Sequence, residues 1–121
     1  MDRITLEKRT KQFHIGVIRF CEQLPRTTAG FEITRQLIRS AGSVGANYRA
    51  TKRAKSKSDF IYKIEVVLEE ADESHYWLEV IKEAELATGR EIDLLTKEAE
   101  ELTAIFAATD RTAKANRQGS K

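Results

Sequence analysis

"RSAGSVGANYRATKRAKSK", residues 39–57, starts as a run of small residues around Gly42 and Gly45 and ends in five cations, Arg49 to Lys57, with no acid among them. It reads either as a phosphate-cradling loop or as one helix, closely packed at its start and charged at its end. The loop reading fails on spacing. The two glycines fit neither the dinucleotide fingerprint nor the Walker pattern, and no strand precedes them. "GSVG" also matches the GxxG of a KH domain, but that fold needs a sheet, and the chain shows no sustained two-residue alternation. The helix reading has positive support. Ile33, Leu37, Ala41, Val44 and Tyr48 recur at steps of four, four, three and four, which places all five on one face. Ser40, Ala41, Gly42, Ser43, Gly45 and Ala46 then leave little side-chain bulk, so that a neighbouring backbone can approach. Close packing must offset about 1 kcal/mol of helix propensity per glycine.

Outward from this segment the same period recurs. Upstream, Ile4, Leu6, Phe13, Val17, Phe20, Cys21 and Leu24 follow helical spacing loosely before Phe13 and well after it, until Pro25 and Gly30 in "LPRTTAG" interrupt the helix. Downstream, Ser56 and Asp59 form a capping-box pattern that starts a third helix near Lys57. Its stripe is Phe60, Ile64, Val67, Ala71, Leu78 and Ile81, widened by Ile61, Leu68 and Trp77. Gly89 in "ATGRE" reads as a C-terminal stop, and Ile92, Leu95, Ala99, Leu102, Ile105 and Phe106 mark a fourth amphipathic helix. Four such stripes joined by short loops can be buried only against each other. The expected fold is all-α, an antiparallel up-down-up-down four-helix bundle over residues 1–109, followed by a basic tail, 110–121, without helical order.

A chain of 121 residues is long enough for one core and too short for two. The single cysteine, Cys21, excludes a disulfide framework and suits a reducing compartment. "MDRITLEKRT" has no apolar run of the signal-peptide kind, and no stretch reaches the ~18 uncharged apolar residues of a membrane span. A cytoplasmic location is the expectation. The net charge of +2 conceals an asymmetry: residues 31–57 carry seven Lys or Arg against Glu32 alone, whereas 58–87 carry nine Asp or Glu against Lys63 and Lys82.

Catalytic chemistry finds little footing. Asp72 and His75 make one D-x-x-H on a helix, but a di-metal centre needs two E-x-x-H pairs and further glutamates, and the only other histidine is His14. No Ser-His-Asp or Cys-His spacing offers a nucleophile. Neither enzyme activity, metal nor cofactor is expected. Beside the apolar stripe of the second helix runs a line of Gln36, Ser40, Ser43 and Asn47. It reads either as solvent-exposed or as a polar seam facing Glu70 and Glu73 on the third helix.

The stretch from Gln36 to Ile81 resembles the signature of the bacterial four-helix-bundle family of proteins encoded in intervening sequences of large-subunit ribosomal RNA. Gln36, Arg39, Ser43, Asn47, Arg53, Ser56, Phe60, Glu70, Glu73, Tyr76, Trp77 and Leu78 carry the match. The resemblance implies a ring-like homo-oligomer, commonly a pentamer. It extends to accessory proteins of diversity-generating retroelements, which are basic and are associated with nucleic acid and a reverse transcriptase. Many relatives place a Glu shortly after the Ala-Asn pair, where this chain has Ala50 and Thr51.

Two functions compete on these residues. One is an oligomer that binds RNA or DNA through Arg49, Lys52, Arg53, Lys55 and Lys57, aided by Arg111, Lys114 and Arg117 in the tail. The other is a protein-interaction scaffold in which the basic and acidic segments serve self-assembly or partner docking. Tyr76 and Trp77 are divided between core and oligomer interface.

Overall fold

The computed structural model describes residues 1–119, the side chains of 118 and 119 excepted. Four helices follow one another: α1 (Arg3–Cys21), α2 (Thr28–Ala50), α3 (Lys57–Glu83) and α4 (Arg90–Gly119), with a 3-10 turn, Thr51–Arg53, between α2 and α3. Each packs on its successor and α1 closes on α4, which gives the expected antiparallel bundle, with no strand among the described residues.

The helix starts are local chemistry. Asp2 accepts from the Thr5 N–H at 2.7 Å, Thr27 from Gly30 at 3.1 Å and Ser56 from Asp59 at 3.0 Å, so each of these three helices has a side-chain oxygen for one of its free amides. The Asp59 carboxylate turns back to the Lys55 N–H at 2.9 Å and takes Lys63 on its other side. That backbone bond, with Lys63 behind it, holds Asp59 below the usual carboxyl range.

The core is built from the stripes, with Thr10, Ser40 and Ser74 set among them. Leu37, Ala41, Val44 and Tyr48 of α2 meet Ile64, Val67, Ala71, Leu78 and Ile81 of α3, and Ile92, Ala99, Leu102 and Phe106 of α4. In α1 the stripe is Leu6, Thr10, Phe13, Val17 and Phe20. Thr10 fits because its hydroxyl returns to the Leu6 and Glu7 carbonyls, each at 3.0 Å. Ser40 and Ser74, both fully buried, face each other across α2 and α3 with their oxygens 2.9 Å apart, and each also reaches a carbonyl of its own helix.

Two boundaries differ from the sequence expectation. Gly89 does not stop α3. The stop is a Schellman turn in which Glu85 N–H reaches the Lys82 carbonyl at 3.0 Å and Leu86 N–H the Ile81 carbonyl at 2.9 Å, with Glu85 itself in the left-handed region at φ 57°. Gly89, at φ 113°, instead precedes α4, and its carbonyl accepts from Asp93. The second difference is at the C-terminus. Where the apolar period ends the helix does not: α4 continues through Gly119, because buried Asp110 and the Lys114 bridge to Asp110 and Glu65 prolong its contact with α3. Residues 120 and 121 of the expected tail lie outside the described residues.

Candidate nucleic-acid interface

The end of the bundle where α2 meets α3 is held in shape by an aromatic ring and an arginine. Tyr48 is buried against Phe106, ring centroids 5.3 Å apart, and the Arg3 guanidinium lies over the Tyr48 ring at 4.9 Å from its centroid. Burial pushes the Tyr48 hydroxyl above its ordinary pKa. One turn later Thr51 is also buried. Its hydroxyl donates to the Tyr48 carbonyl at 2.6 Å and accepts from Arg3. Thr51 is thus part of a packed corner under Arg3.

From this corner the cations project. Arg49, Lys52, Arg53, Lys55 and Lys57 are all exposed. Lys52 pairs with Glu7 of α1 at 3.2 Å, whereas Arg49 and Arg53 have no carboxylate partner among the described residues. Lys57 opens α3 and lies about 28 Å along that helix from Tyr76, at 1.5 Å per residue. The α4 cations fall at the same end of the bundle. Lys114 is drawn to the acidic side of α3 by Asp110 at 2.9 Å and Glu65 at 3.4 Å, the Asp110 bond raising its pKa, while Arg111 and Arg117 are exposed.

The small residues of α2 have a more specific role than general close packing. Gly42 lies under the His14 imidazole: a Cβ there would meet Cε1 and Nε2 at 2.8 Å. Gly45 is less constrained, since a Cβ would meet Thr10 at an ordinary 3.5 Å. Between α1 and α2 this leaves an open groove of about 610 Å³ with Gly45 and Ala46 on its α2 wall. Lys8 and Lys11 of α1 face Arg49 and Lys52 of α2 across it, and Glu7, the one carboxylate lining it, is already bridged to Lys52 and Arg3. The sequence reading did not single out Lys8 and Lys11. Their i, i+3 spacing on α1 was a signal for a shared face, but only the antiparallel pairing with α2 puts that face beside Arg49.

The proposed polar seam is divided differently. Asn47 donates to the Ser43 hydroxyl at 2.7 Å and its carbonyl at 2.9 Å, and Gln36 to Glu32 at 3.0 Å, so these three find their partners within α2. Glu70 and Glu73 are taken instead by Arg39, with contacts of 2.9 and 3.3 Å to the first and 2.5 Å to the second. The polar link across α2 and α3 is Ser40 with Ser74. The signal for Ser74 was its place in the α3 apolar register, three residues after Ala71 and four before Leu78.

Glu73 also accepts from the Trp77 indole at 3.0 Å. Burial works to raise its pKa, and the indole and Arg39 together outweigh burial and lower it. Trp77 is half-buried and meets Tyr76 edge-on at 5.1 Å, while Tyr76 is exposed. His75 lies 3.8 Å from Glu79, and among the described residues no three His, Cys, Asp or Glu side chains converge as metal ligands. No described helix is long and apolar enough to cross a membrane.

Comparison with known proteins is consistent with this architecture. Residues 3–108 match the model of a family described as 23S rRNA-intervening sequence protein. A crystal structure of a Bacteroides thetaiotaomicron protein of unknown function, from the S23 ribosomal protein family, superposes with a TM-score of 0.82 at 26% identity, covering 92% of this chain and 99% of that one. No curated protein matches the chain. With the family model spanning residues 3–108 of the 121, the chain belongs to the 23S rRNA-intervening sequence protein family.

Proposed function

We propose that this bundle is a non-enzymatic nucleic-acid-binding protein that acts as a homo-oligomer and uses the basic end of α2 and the following turn as its contact surface. The observation that carries the reading is the state of those cations: Arg49 and Arg53 are exposed, without a carboxylate partner among the described residues, on a corner that Arg3, Tyr48 and Thr51 hold rigid. Cations presented this way can bind phosphate oxygens and release condensed counterions without first breaking internal ion pairs. A ring, pentameric as the resemblance suggests, would repeat the surface and multiply a modest affinity. Tyr76 beside Trp77 supplies an exposed aromatic ledge for subunit contact, well separated from the basic end.

The test is the triple variant Arg49→Glu, Lys52→Glu, Arg53→Glu in shift assays with RNA and DNA. Binding should be lost while helicity and oligomer mass stay as in the parent. In the parent, log affinity should fall with log salt at roughly 0.7 to 0.9 per phosphate neutralised. Binding that survives the triple change refutes the surface.

A second reading rests on the outer face of α3, where Glu69, Asp72 and Glu79 are exposed. On that reading the cations pair with the acidic helix of a neighbouring subunit or partner, and the protein is a scaffold. Dissociation of the triple variant into monomers would favour it, as would co-purification of a protein partner such as a reverse transcriptase without nucleic acid.

A further inference from the structure

We infer that the groove between α1 and α2 is a binding channel for single-stranded nucleic acid, with Lys8 and Lys11 on one wall and Arg49 and Lys52 on the other. This rests on the reading that the basic end of the bundle binds nucleic acid, and it extends that site from a surface patch to a cleft with a ligand class of its own.

Three features of the cleft point to a single strand. The first is charge on both walls. Lys8, Lys11 and Arg49 have no carboxylate partner among the described residues, and the one acid present, Glu7, is already held by Lys52 at 3.2 Å and Arg3 at 3.6 Å. A phosphodiester lying in the cleft would meet cations from two helices at once, which a convex patch cannot arrange.

The second is size. About 610 Å³ falls in the range of roughly 300–1,000 Å³ that encloses small organic ligands, which suits one or two nucleotides. A duplex, with its two backbones held apart by paired bases, can touch the rims of such a cleft but cannot enter it.

The third is the lining. Gly45 and Ala46 keep the α2 wall low, and the His14 imidazole, seated on Gly42, lies half-buried at the far end of the groove from Lys52. Small apolar surface beside the cations, with a planar ring at one end of the groove, is a combination that accepts an unpaired base, whose face is available only when it is not stacked in a duplex. The guanidinium of Arg49 offers a second planar surface on the opposite wall from Lys8.

The channel and the turn are separable by mutation. Ala46→Leu fills the cleft without altering charge, at an exposed helical position where Leu is a good helix former. Lys8→Glu with Lys11→Glu removes one wall, also at exposed positions. Arg53→Glu with Lys55→Glu alters the turn alone. Each is measured by fluorescence anisotropy against a short single-stranded RNA and against the same RNA as a duplex, with helicity and oligomer mass checked in parallel.

The expected result is preferential binding of the single strand by the parent and about tenfold weaker single-strand binding by Ala46→Leu, with duplex binding unchanged. The lysine pair should also lower the single-strand salt slope by roughly 0.7 for each phosphate that the variant no longer neutralises. If Ala46→Leu and the lysine pair both bind single strands like the parent while the turn variant does not, the channel is overturned and the surface patch stands. Equal parental affinity for both RNA forms also overturns the channel. A parent that binds neither form overturns both.

Discussion

Arg9 and Glu98 stand 89 residues apart and meet as a fork, Nε to Oε2 and Nη2 to Oε1, both at 2.6 Å. They join α1 to α4, the neighbouring pair that packs least extensively. Both side chains are about three-quarters buried, and the Glu98 hydrogen bond raises the Arg9 pKa. The bundle thus closes its least extensive seam with a bidentate ion pair.

Arg9→Ala should accordingly lower stability by about 1 kcal/mol, near the upper end for partly exposed pairs. Arg9→Lys should recover less than half of that, since a single ammonium cannot make the fork. Urea titrations of the three proteins check this. Equal stability of the Lys variant and the parent would show that charge alone suffices.

Gly30 and Gly45 should respond to alanine in opposite directions. At Gly30 a Cβ would fall 1.9 Å from the Pro25 carbonyl oxygen, a backbone atom that cannot move without reshaping the α1–α2 loop, so Gly30→Ala should destabilise by roughly 2 kcal/mol or more. At Gly45 the new methyl meets Thr10 at ordinary contact distance, and Gly45→Ala should stabilise by up to about 1 kcal/mol through helix propensity. Thermal melts followed at a helix band read both.

The α3 stop contains a correctable strain. Glu85 occupies a left-handed position that favours glycine, and it is exposed, so Glu85→Gly should raise stability by about 0.5–1 kcal/mol. Gly89→Ala should do the reverse, because φ 113° is unfavourable for any side chain even though the space around it is open. A stabilising Gly89→Ala would refute the account of this loop.

Acid should loosen the start of α3. The Asp59 pKa is lowered from the ordinary 3.8, first by the Lys55 N–H and then by Lys63, so its contribution is complete above that value and disappears as pH falls through the lower folded value. Asp59→Asn should therefore be less stable than the parent at neutral pH, and the difference should shrink below pH 3.8. Denaturation midpoints across pH test the sign.

Cys21 should be inert in the folded protein. Burial pushes its thiol up to about 11, so almost no thiolate exists near neutrality. Alkylation followed by mass spectrometry should modify it only under denaturing conditions. Rapid labelling of the native chain would mean that the α1 terminus opens readily.

The four helices and their order were legible in the apolar stripes, as in residues 33–48, and the start of α3 in the Ser56–Asp59 pair, because a 3.6-residue repeat and a capping oxygen act within one or two turns; the Asp2 and Thr27 caps were not read. The limits of that legibility are also local. Gly89 was read as a stop because glycine usually is one, but the Schellman turn had already closed four residues earlier on a glutamate. The bundle was ended at residue 109, where the apolar period stops, since the Lys114–Glu65 contact that ties the rest of α4 to α3 joins residues 49 positions apart and is invisible to periodicity.

What the amino-acid sequence determined by itself was the all-α bundle and the basic run from Arg49 to Lys57. Both are statements about neighbours along the chain. Only the tertiary structure decided which partners those residues have. Whether Arg39 meets Glu70 and Glu73, whether Ser40 meets Ser74, and whether Lys8 and Lys11 share a groove with Arg49 all depend on how far one helix slides along the next. For α1 and α2 that offset coincides with His14 seated on Gly42 and Thr10 beside Gly45. A shift of one turn, about 5.4 Å, would leave every helical stripe intact and dissolve the groove.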